Sequence, residues 1–306
     1  MHELRKPRAL RPGATLGIAA PGGPVDPAAT DAGCALLERA GFRIHRRDDL
    51  TARCGYLAGD DARRSAELEE LWSDPRVDGI VCARGGYGCA RILPRLDPGW
   101  ARDAAKPLVG YSDATALLLW QARHAGLAGF HGPMLEYGSE LAPASIAALV
   151  AWLTGDVELP ATLPGRPAFA GQAEGPLVGG SLTLVTSSIG TDWEIDTHGA
   201  ILLLEEVHEN PYRVDRMLQQ LRDAGKLDSI VGLGIGDVST CTDSKYGTCI
   251  DDVVLEIART LRVPCVAGLG FGHTPSNSTW PFGGRASIDG ERGEIRMLEL
   301  GVKAAT

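Results

Sequence analysis

The sequence contains no pair of cysteines in a CxxC arrangement and no cluster of cysteine with histidine. Its seven cysteines, Cys34, Cys54, Cys82, Cys89, Cys241, Cys249 and Cys265, are scattered, which argues against a zinc site and against a disulfide framework. They read as reduced thiols, with Cys82 and Cys265 serving as small apolar residues in strand-like runs. Long apolar runs are missing too. Stretches such as Ala200–Leu204 are far shorter than the roughly 20 residues a bilayer-crossing helix needs. The start, Met1-His2-Glu3-Leu4-Arg5-Lys6, is charged and no apolar segment of a secretion signal follows it, so the expectation is a cytoplasmic protein with no membrane partner. Positive charge is in deficit as well: 30 Lys and Arg against 39 Asp and Glu leave a formal charge of -9. That balance argues against a surface devoted to nucleic acid or anionic lipid.

What is present is enough apolar material, 44% of 306 residues, for two modest cores. From Thr15 to about Gly129, short apolar runs alternate with stretches of helical periodicity. The runs Thr15–Ala20, Phe42–His45, Gly79–Ala83, Leu108–Tyr111 and Ala128–Phe130 predict strands, and Pro27–Ala40, Asp60–Trp72 and Thr115–Ala125 predict helices. Asp60 and Asp113 stand near the helix starts. This alternation is the signature of a doubly wound parallel sheet in an α/β protein. Residues 156–176 hold Pro160, Pro164, Pro167 and Pro176 with no sustained period, and read as a linker. Beyond it, a helix from Ser181, strands Ala200–Leu204, Ile230–Ile235 and Val263–Ala267, and helices Tyr212–Ala224 and Asp251–Leu261 predict a smaller α/β domain. The expected division is therefore 1–155, a linker over 156–176, and 177–306.

The segment Gly110-Tyr111-Ser112-Asp113-Ala114-Thr115 reads as the end of a strand, a sharp corner and the start of a helix. Such a corner pushes a serine beyond the sheet edge. It also sets the Asp113 amide at a helix N-terminus, where free N–H groups and the dipole hold an oxyanion. The alternative is that Ser112 only caps the helix. Ala83-Arg84-Gly85-Gly86-Tyr87-Gly88 also follows a strand, and its glycines offer a second amide donor; its spacing matches neither GxGxxG nor GxxxxGK[ST]. A nucleophilic serine needs a base, and the base an orienting group. His273, in a glycine-rich loop, and His131, in Gly129-Phe130-His131-Gly132-Pro133, both qualify, and nothing local separates them. Glu205, first after the apolar run Ile201–Leu204, suits the orienting role. It reads equally as a solvated strand end, a helix cap or, with Glu206, a paired-carboxylate glycosidase site. No histidine lies at metal-ligand spacing from these acids, so no metal is expected.

Beyond single motifs, the chain carries Ala20-Pro21-Gly22, Arg84-Gly85-Gly86-Tyr87-Gly88, Gly110-Tyr111-Ser112-Asp113, Phe130-His131-Gly132-Pro133, Gly179-Gly180-Ser181-Leu182, Leu204-Glu205-Glu206, Pro211-Tyr212-Arg213-Val214-Asp215-Arg216 and Gly272-His273-Thr274, in that order. Together, over nearly its whole length, they resemble the LD-carboxypeptidase family of serine peptidases, which includes muramoyltetrapeptide carboxypeptidases and microcin C immunity peptidases. The resemblance implies Ser112 as nucleophile, Glu205 as acid and His273 as base, in preference to Glu206 and His131, with the amides of Asp113 and Gly86 as oxyanion hole. It implies an N-terminal parallel-sheet domain and a C-terminal domain with a β-barrel-like core, the triad being assembled across their groove. The implied reaction releases C-terminal D-alanine from cytoplasmic murein tetrapeptides in cell-wall recycling, with no cofactor, a small peptide as the partner, and a homodimer as the assembly. Where the family often has Asn and Asp, this chain has Ser181 and Glu206.

A carboxypeptidase must also read a free carboxylate, and Arg84 and Arg213 are the candidates, with Tyr87 beside the first. Two other readings stay open. A microcin C type peptidase acts on aminoacyl nucleotides, on whose base Trp193 or Trp280 would stack. A non-catalytic peptide-binding protein would leave the serine, acid and base unexplained.

Overall fold

The computed structural model describes residues 3–242, 245 and 247–303. They divide into two compact units. One consists mainly of Leu4–Val157 and Pro275–Pro281 with the segment from Leu300; the other consists mainly of Glu158–Thr274 and Phe282–Glu299.

In the first unit the chain runs β1 (Thr15–Ala19), α1 (Pro27–Arg39), β2 (Arg43–His45), α2 (Asp61–Ser73), β3 (Gly79–Cys82), α3 (Cys89–Ile92), α4 (Pro98–Ala104), β4 (Leu108–Gly110), α5 (Thr115–Trp120), β5 (Gly129–His131) and α6 (Pro143–Thr154). Strands β1 to β5 are parallel in the order 2-1-3-4-5, which makes the sheet doubly wound as the sequence predicts. Leu16, Ile18, Ile80 and Val109 are wholly buried, as expected of parallel strands covered on both faces. The helices start where short acids precede proline or charge. The Asp26 side chain accepts from Ala29 N–H ahead of Pro27, and the Asp60 side chain accepts from Arg63 N–H, each at 2.8 Å. Asp113 does otherwise: it lies in a 3-10 turn before α5, and its carboxylate reaches across to a neighbouring loop. In this doubly wound order the loops after β1, β3 and β4 emerge at one sheet edge, the edge where such folds place their ligands.

The second unit holds β6 (Ala161–Pro164), β7 (Arg166–Phe169), β8 (Gln172–Ser181), α7 (Leu182–Ser187), β9 (Ile201–Glu205), α8 (Pro211–Asp223), β10 (Gly232–Ile235), α9 (Ile250–Leu261) and β11 (Cys265–Ala267). After β12 (Trp280–Phe282), which lies beside β5 in the first sheet, come β13 (Arg285–Asp289) and β14 (Glu294–Met297). Its sheet has the order β6-β14-β13-β8-β9-β10-β11-β7. The two outer members, β6 and β7, are halves of one segment bent at Gly165, so the sheet closes on itself as a barrel-like ring. Long strand β8 makes the other junction. Its first half pairs antiparallel with β13 and its second half parallel with β9.

This corrects the reading of 156–176 as a linker, because those residues supply β6, β7 and the first half of β8. Their prolines stand where the pairing changes hands. Pro164 ends β6, Pro176 lies at the last β13 pairing of β8, and Pro167 faces Val266 next to a register shift. Breakers at those positions hide a strand period that the ring nevertheless uses.

The ring depends on backbone approach at Gly179, which has φ 134° and where a Cβ would lie 1.8 Å from the Leu203 carbonyl oxygen. We expect Gly179→Ala to cost more than about 4 kcal/mol and to leave little folded protein. Gly190→Ala, at φ 78° with open space around it, should cost only about 1 kcal/mol. Urea unfolding of the two variants measures the contrast; similar midpoints would show that the close approach is not limiting.

Candidate active site

Ser112 stands at the corner after β4 with φ 57°, a left-handed conformation uncommon outside glycine. The corner is tight enough to demand glycine two residues earlier: a Cβ on Gly110 would lie 2.6 Å from that of Ala114. The N-cap of α5 is Ala114, so Ser112 stands outside the position a capping serine takes. Strain held at a strand-to-helix corner is how a serine hydroxyl is pushed out of the sheet edge.

Against this corner lies the loop after β3. A Cβ on Gly85 would sit 2.8 Å from both Cβ and Oγ of Ser112 and 3.2 Å from Asp113 N, so that loop packs on the serine backbone-first. Gly86 (φ 87°) and Gly88 (φ 137°) give it a shape closed to side-chain-bearing residues. The loop after β1 joins them, Gly23 N–H donating to the Gly85 carbonyl at 2.7 Å. Ser112, Asp113 and Gly86 of the sequence-based set are thus brought to one place. Asp113 has a second use: its carboxylate, 2% exposed, accepts the Cys89 N–H at 2.8 Å. Burial pushes its pKa up against the pull of that backbone donor.

His131, the competing base, ends β5 fully buried, its ring stacked on Trp280 at 4.9 Å and tilted against Tyr111 at 5.6 Å. Trp280 is fully buried in that stack and Trp193 is 7% exposed, so both rings are core packing and neither is the base-stacking surface considered above.

In the second unit, Glu205 ends β9 and His273 follows β11 on the glycine-rich loop. Glu205 Oε2 and His273 Nδ1 are 2.7 Å apart, the carboxylate fully buried and the imidazole side chain 15% exposed. Burial raises the Glu205 pKa, and the bond to His273 pulls it back. Gly272 makes the approach feasible, since a Cβ there would meet Glu205 Oε2 at 3.1 Å. Glu206 is engaged elsewhere. Its Oε2 accepts from the Thr183 N–H and hydroxyl at 2.8 and 2.7 Å, which anchors the start of α7, whose N-cap is Ser181. The two acids therefore divide between the histidine and a helix end, an arrangement unlike the shared cleft of a glycosidase pair.

Of the candidates for substrate contact, Arg84 is exposed and donates to the Pro24 carbonyl at 2.7 Å. Tyr87 beside it is 52% exposed and meets the ring of Tyr56 edge-on at 5.7 Å. Arg213 is committed locally, Nη1 lying 3.2 Å from Glu209 and Nε 3.2 Å from the Tyr212 hydroxyl. The sequence-based reading passed over Arg64 and Glu67, both wholly buried on α2. Glu67 accepts the Ala20 N–H at 2.7 Å and pairs with Arg63, while Arg64 donates to carbonyls of two glycine-bearing loops.

Residues 16–132 match the LD-carboxypeptidase N-terminal domain and residues 174–288 match the LD-carboxypeptidase C-terminal domain. The chain belongs to the LD-carboxypeptidase family. As a member of this peptidase family it is 35% identical to the probable murein peptide carboxypeptidase of Bacillus subtilis, over 97% of this chain and 95% of that protein. It is 34% identical to the murein tetrapeptide carboxypeptidase of Pseudomonas aeruginosa, over 84% and 87%. Among solved LD-carboxypeptidase family structures, the muramoyltetrapeptide carboxypeptidase of Oxalobacter formigenes superposes with a TM-score of 0.84 at 30% identity, covering 96% of this chain and all of that one. The N-terminal family match contains Gly86, Ser112 and Asp113, and the C-terminal match contains Glu205 and His273.

The two acids should answer mutation differently. A carboxyl whose pKa is raised on folding contributes stability below its unfolded pKa and loses it as pH rises through the folded value. Glu205→Gln, always neutral, should therefore gain stability relative to the native protein between pH 5 and pH 8. Glu206→Leu, which strands the Thr183 donors, should lose about 1–3 kcal/mol throughout. Urea midpoints at the two pH values test both; a Glu205→Gln variant losing ground with rising pH would reverse the assigned sign.

Proposed function

We propose that this chain is a serine peptidase that hydrolyses the bond between an L-centre and C-terminal D-alanine in murein tetrapeptides, acting in the cytoplasm in cell-wall recycling. The observation that carries the reading is the buried Glu205 carboxylate bonded to His273 Nδ1, which leaves Nε2 as the ring nitrogen to take a proton. An imidazole so oriented is an idle expense unless it serves a nucleophile. Ser112, strained at its corner, is the nucleophile that its family membership and backbone conformation both support. The names of its relatives, murein tetrapeptide carboxypeptidase among them, support the substrate.

In the proposed reaction Ser112 Oγ attacks the scissile carbonyl while His273 Nε2 accepts its proton. Glu205 stabilises the imidazolium that forms. The carbonyl oxygen becomes an oxyanion, held by backbone N–H groups of Asp113 and Gly86. His273 returns the proton to the departing amine of D-alanine, and water, deprotonated by the same imidazole, releases the acyl-enzyme. No step calls for a metal or cofactor. Ser112→Ala should lower turnover by at least about a thousandfold with little change in stability, because a corner serine packs few atoms. Mass spectrometry for loss of D-alanine from a murein tetrapeptide measures it, with an aminoacyl sulfamoyl adenylate assayed in parallel. Cleavage of the adenylate alone would move the substrate to the microcin type, and full turnover by Ser112→Ala would end the serine mechanism.

The terminal carboxylate is assigned to Arg84. Arg84 donates to a neutral carbonyl, that of Pro24, whereas the charge of Arg213 is met by Glu209. Arg84→Gln should abolish the preference for the tetrapeptide acid over its C-terminal amide, while Arg213→Gln keeps it. Retention of that preference in both variants would point to backbone amides as the carboxylate reader.

A further inference from the structure

Arg64 lies on α2 with its side chain wholly buried, yet it bonds mainly to backbone. Its Nη1 donates to the Gly88 carbonyl at 2.7 Å and to the Pro21 carbonyl, while Nη2 pairs with Asp61. One guanidinium thus ties the loop after β3 to the loop after β1. The packing leaves it no slack: a Cβ on Gly88 would lie 2.5 Å from Nη1. The Asp113 carboxylate holds the same loop at its far end, accepting the N–H of Cys89, the residue after Gly88, at 2.8 Å. A Cβ on Gly22 would lie 2.6 Å from Asp113 Oδ2, so backbone closes over this acid too.

Taking a guanidinium and a carboxylate out of water costs several kcal/mol per ion unless their hydrogen bonds are met, so such groups persist where geometry is needed. The geometry at stake is that of Gly85 and Gly86. Their loop touches Ser112, and its left-handed glycines supply no stiffness of their own.

We infer that Arg64 and the Asp113 carboxylate are positioning residues that clamp the Gly85–Gly88 loop against Ser112 and so set the oxyanion-binding amide of Gly86. This rests on the serine reading above. Neither side chain is a catalytic residue: they act through the backbone they hold. Misplacing an oxyanion donor by a fraction of an ångström costs rate without costing ground-state affinity.

The test uses the full chain and two conservative variants. Arg64→Lys keeps the charge, but a single ammonium must replace both Nη1, which serves the two carbonyls, and Nη2, which pairs with Asp61, and lacks the planar fork that does both. Asp113→Asn keeps the shape and one acceptor oxygen, but it removes the charge and puts an NH2 donor in place of the second oxygen, so the charge-assisted bond from the Cys89 N–H is weakened. Each should lower kcat about 10- to 100-fold with KM changed less than about threefold.

The second readout is a peptide aldehyde carrying an aldehyde in place of the scissile amide. Ser112 Oγ adds to its carbonyl carbon, the C=O π bond becomes a C–O single bond, and the serine proton passes through His273 to the new hemiacetal oxygen. That oxygen occupies the oxyanion position, so aldehyde affinity should fall by the same factor as kcat/KM. A purely structural role would lower the melting temperature and leave both quantities unchanged in the folded protein. If Arg64→Lys does not fold, Asp113→Asn decides alone. Wild-type kcat in a folded variant, or a loss of kcat with unchanged aldehyde affinity, overturns the clamp while Ser112→Ala remains inactive. Turnover by Ser112→Ala overturns the serine reading itself, so the two failures are told apart.

Discussion

Backbone meets backbone at the edge of the parallel sheet where the loops after β1, β3 and β4 emerge, at distances that no side chain would permit. A Cβ on Gly22 would come within 2.6 Å of the Gly85 carbonyl oxygen, and one on Gly85 within 2.8 Å of Ser112. Peptide groups brought so close have lost their water, so each must find a partner inside the protein. Gly23 N–H takes the Gly85 carbonyl, Arg64 takes those of Pro21 and Gly88, and Asp113 takes the Cys89 N–H. The buried ions follow from the close packing of the glycines. A chain with larger residues here would have no reason to bury them.

The same constraint recurs in the second unit with different parts. Gly272, at φ 121°, lets its loop lie on Glu205, and the carboxylate that this covers is wholly buried. Desolvation raises the pKa of Glu205 as it does that of Asp113, and in each case the opposing influence is a hydrogen bond to the charged form. The partners differ, and with them the consequence. A fixed backbone N–H makes Asp113 a structural acid. The partner of Glu205 is an imidazole, which in the proposed mechanism takes and returns a proton.

The parallel strands were legible because each is buried on both faces and so reads as an apolar run between helical stretches, Gly79–Cys82 being an example. Ser112 and Glu205 stood out as candidates for a related reason, since each is the first polar break after such a run. What stayed hidden is non-local. In Asp61-Ala62-Arg63-Arg64-Ser65-Ala66-Glu67 every charge looks like part of a solvated helix face, and only the strand ends packed on α2 reveal that Arg64 and Glu67 are inside. Pro164, Pro167 and Pro176 hid β6 to β8, because proline is compatible with a strand only at edges and pairing junctions, positions set by partners far along the chain. Nor did the sequence around His131 separate it from His273. A ring between Tyr111 and Trp280 is removed from solvent by a residue nearly 150 positions away, whereas His273 is 15% exposed beside a buried acid.

Each part of the proposed machinery is held by bonds internal to its own unit. The Ser112 corner depends on Gly85, Gly110 and the α2 charges, and the orientation of His273 on Glu205 and Gly272. Damage to either set is therefore local in structure. In the proposed mechanism it is not local in rate, because one transition state needs the oxyanion donor and the oriented base together. Substitutions at Arg64 and at Glu205 should accordingly be additive in stability, where they share no partners, and less than additive in turnover, where the loss of one leaves the other little to stabilise. Additive stability with sub-additive rate is the pattern that separates parts of one catalytic apparatus from independent structural defects.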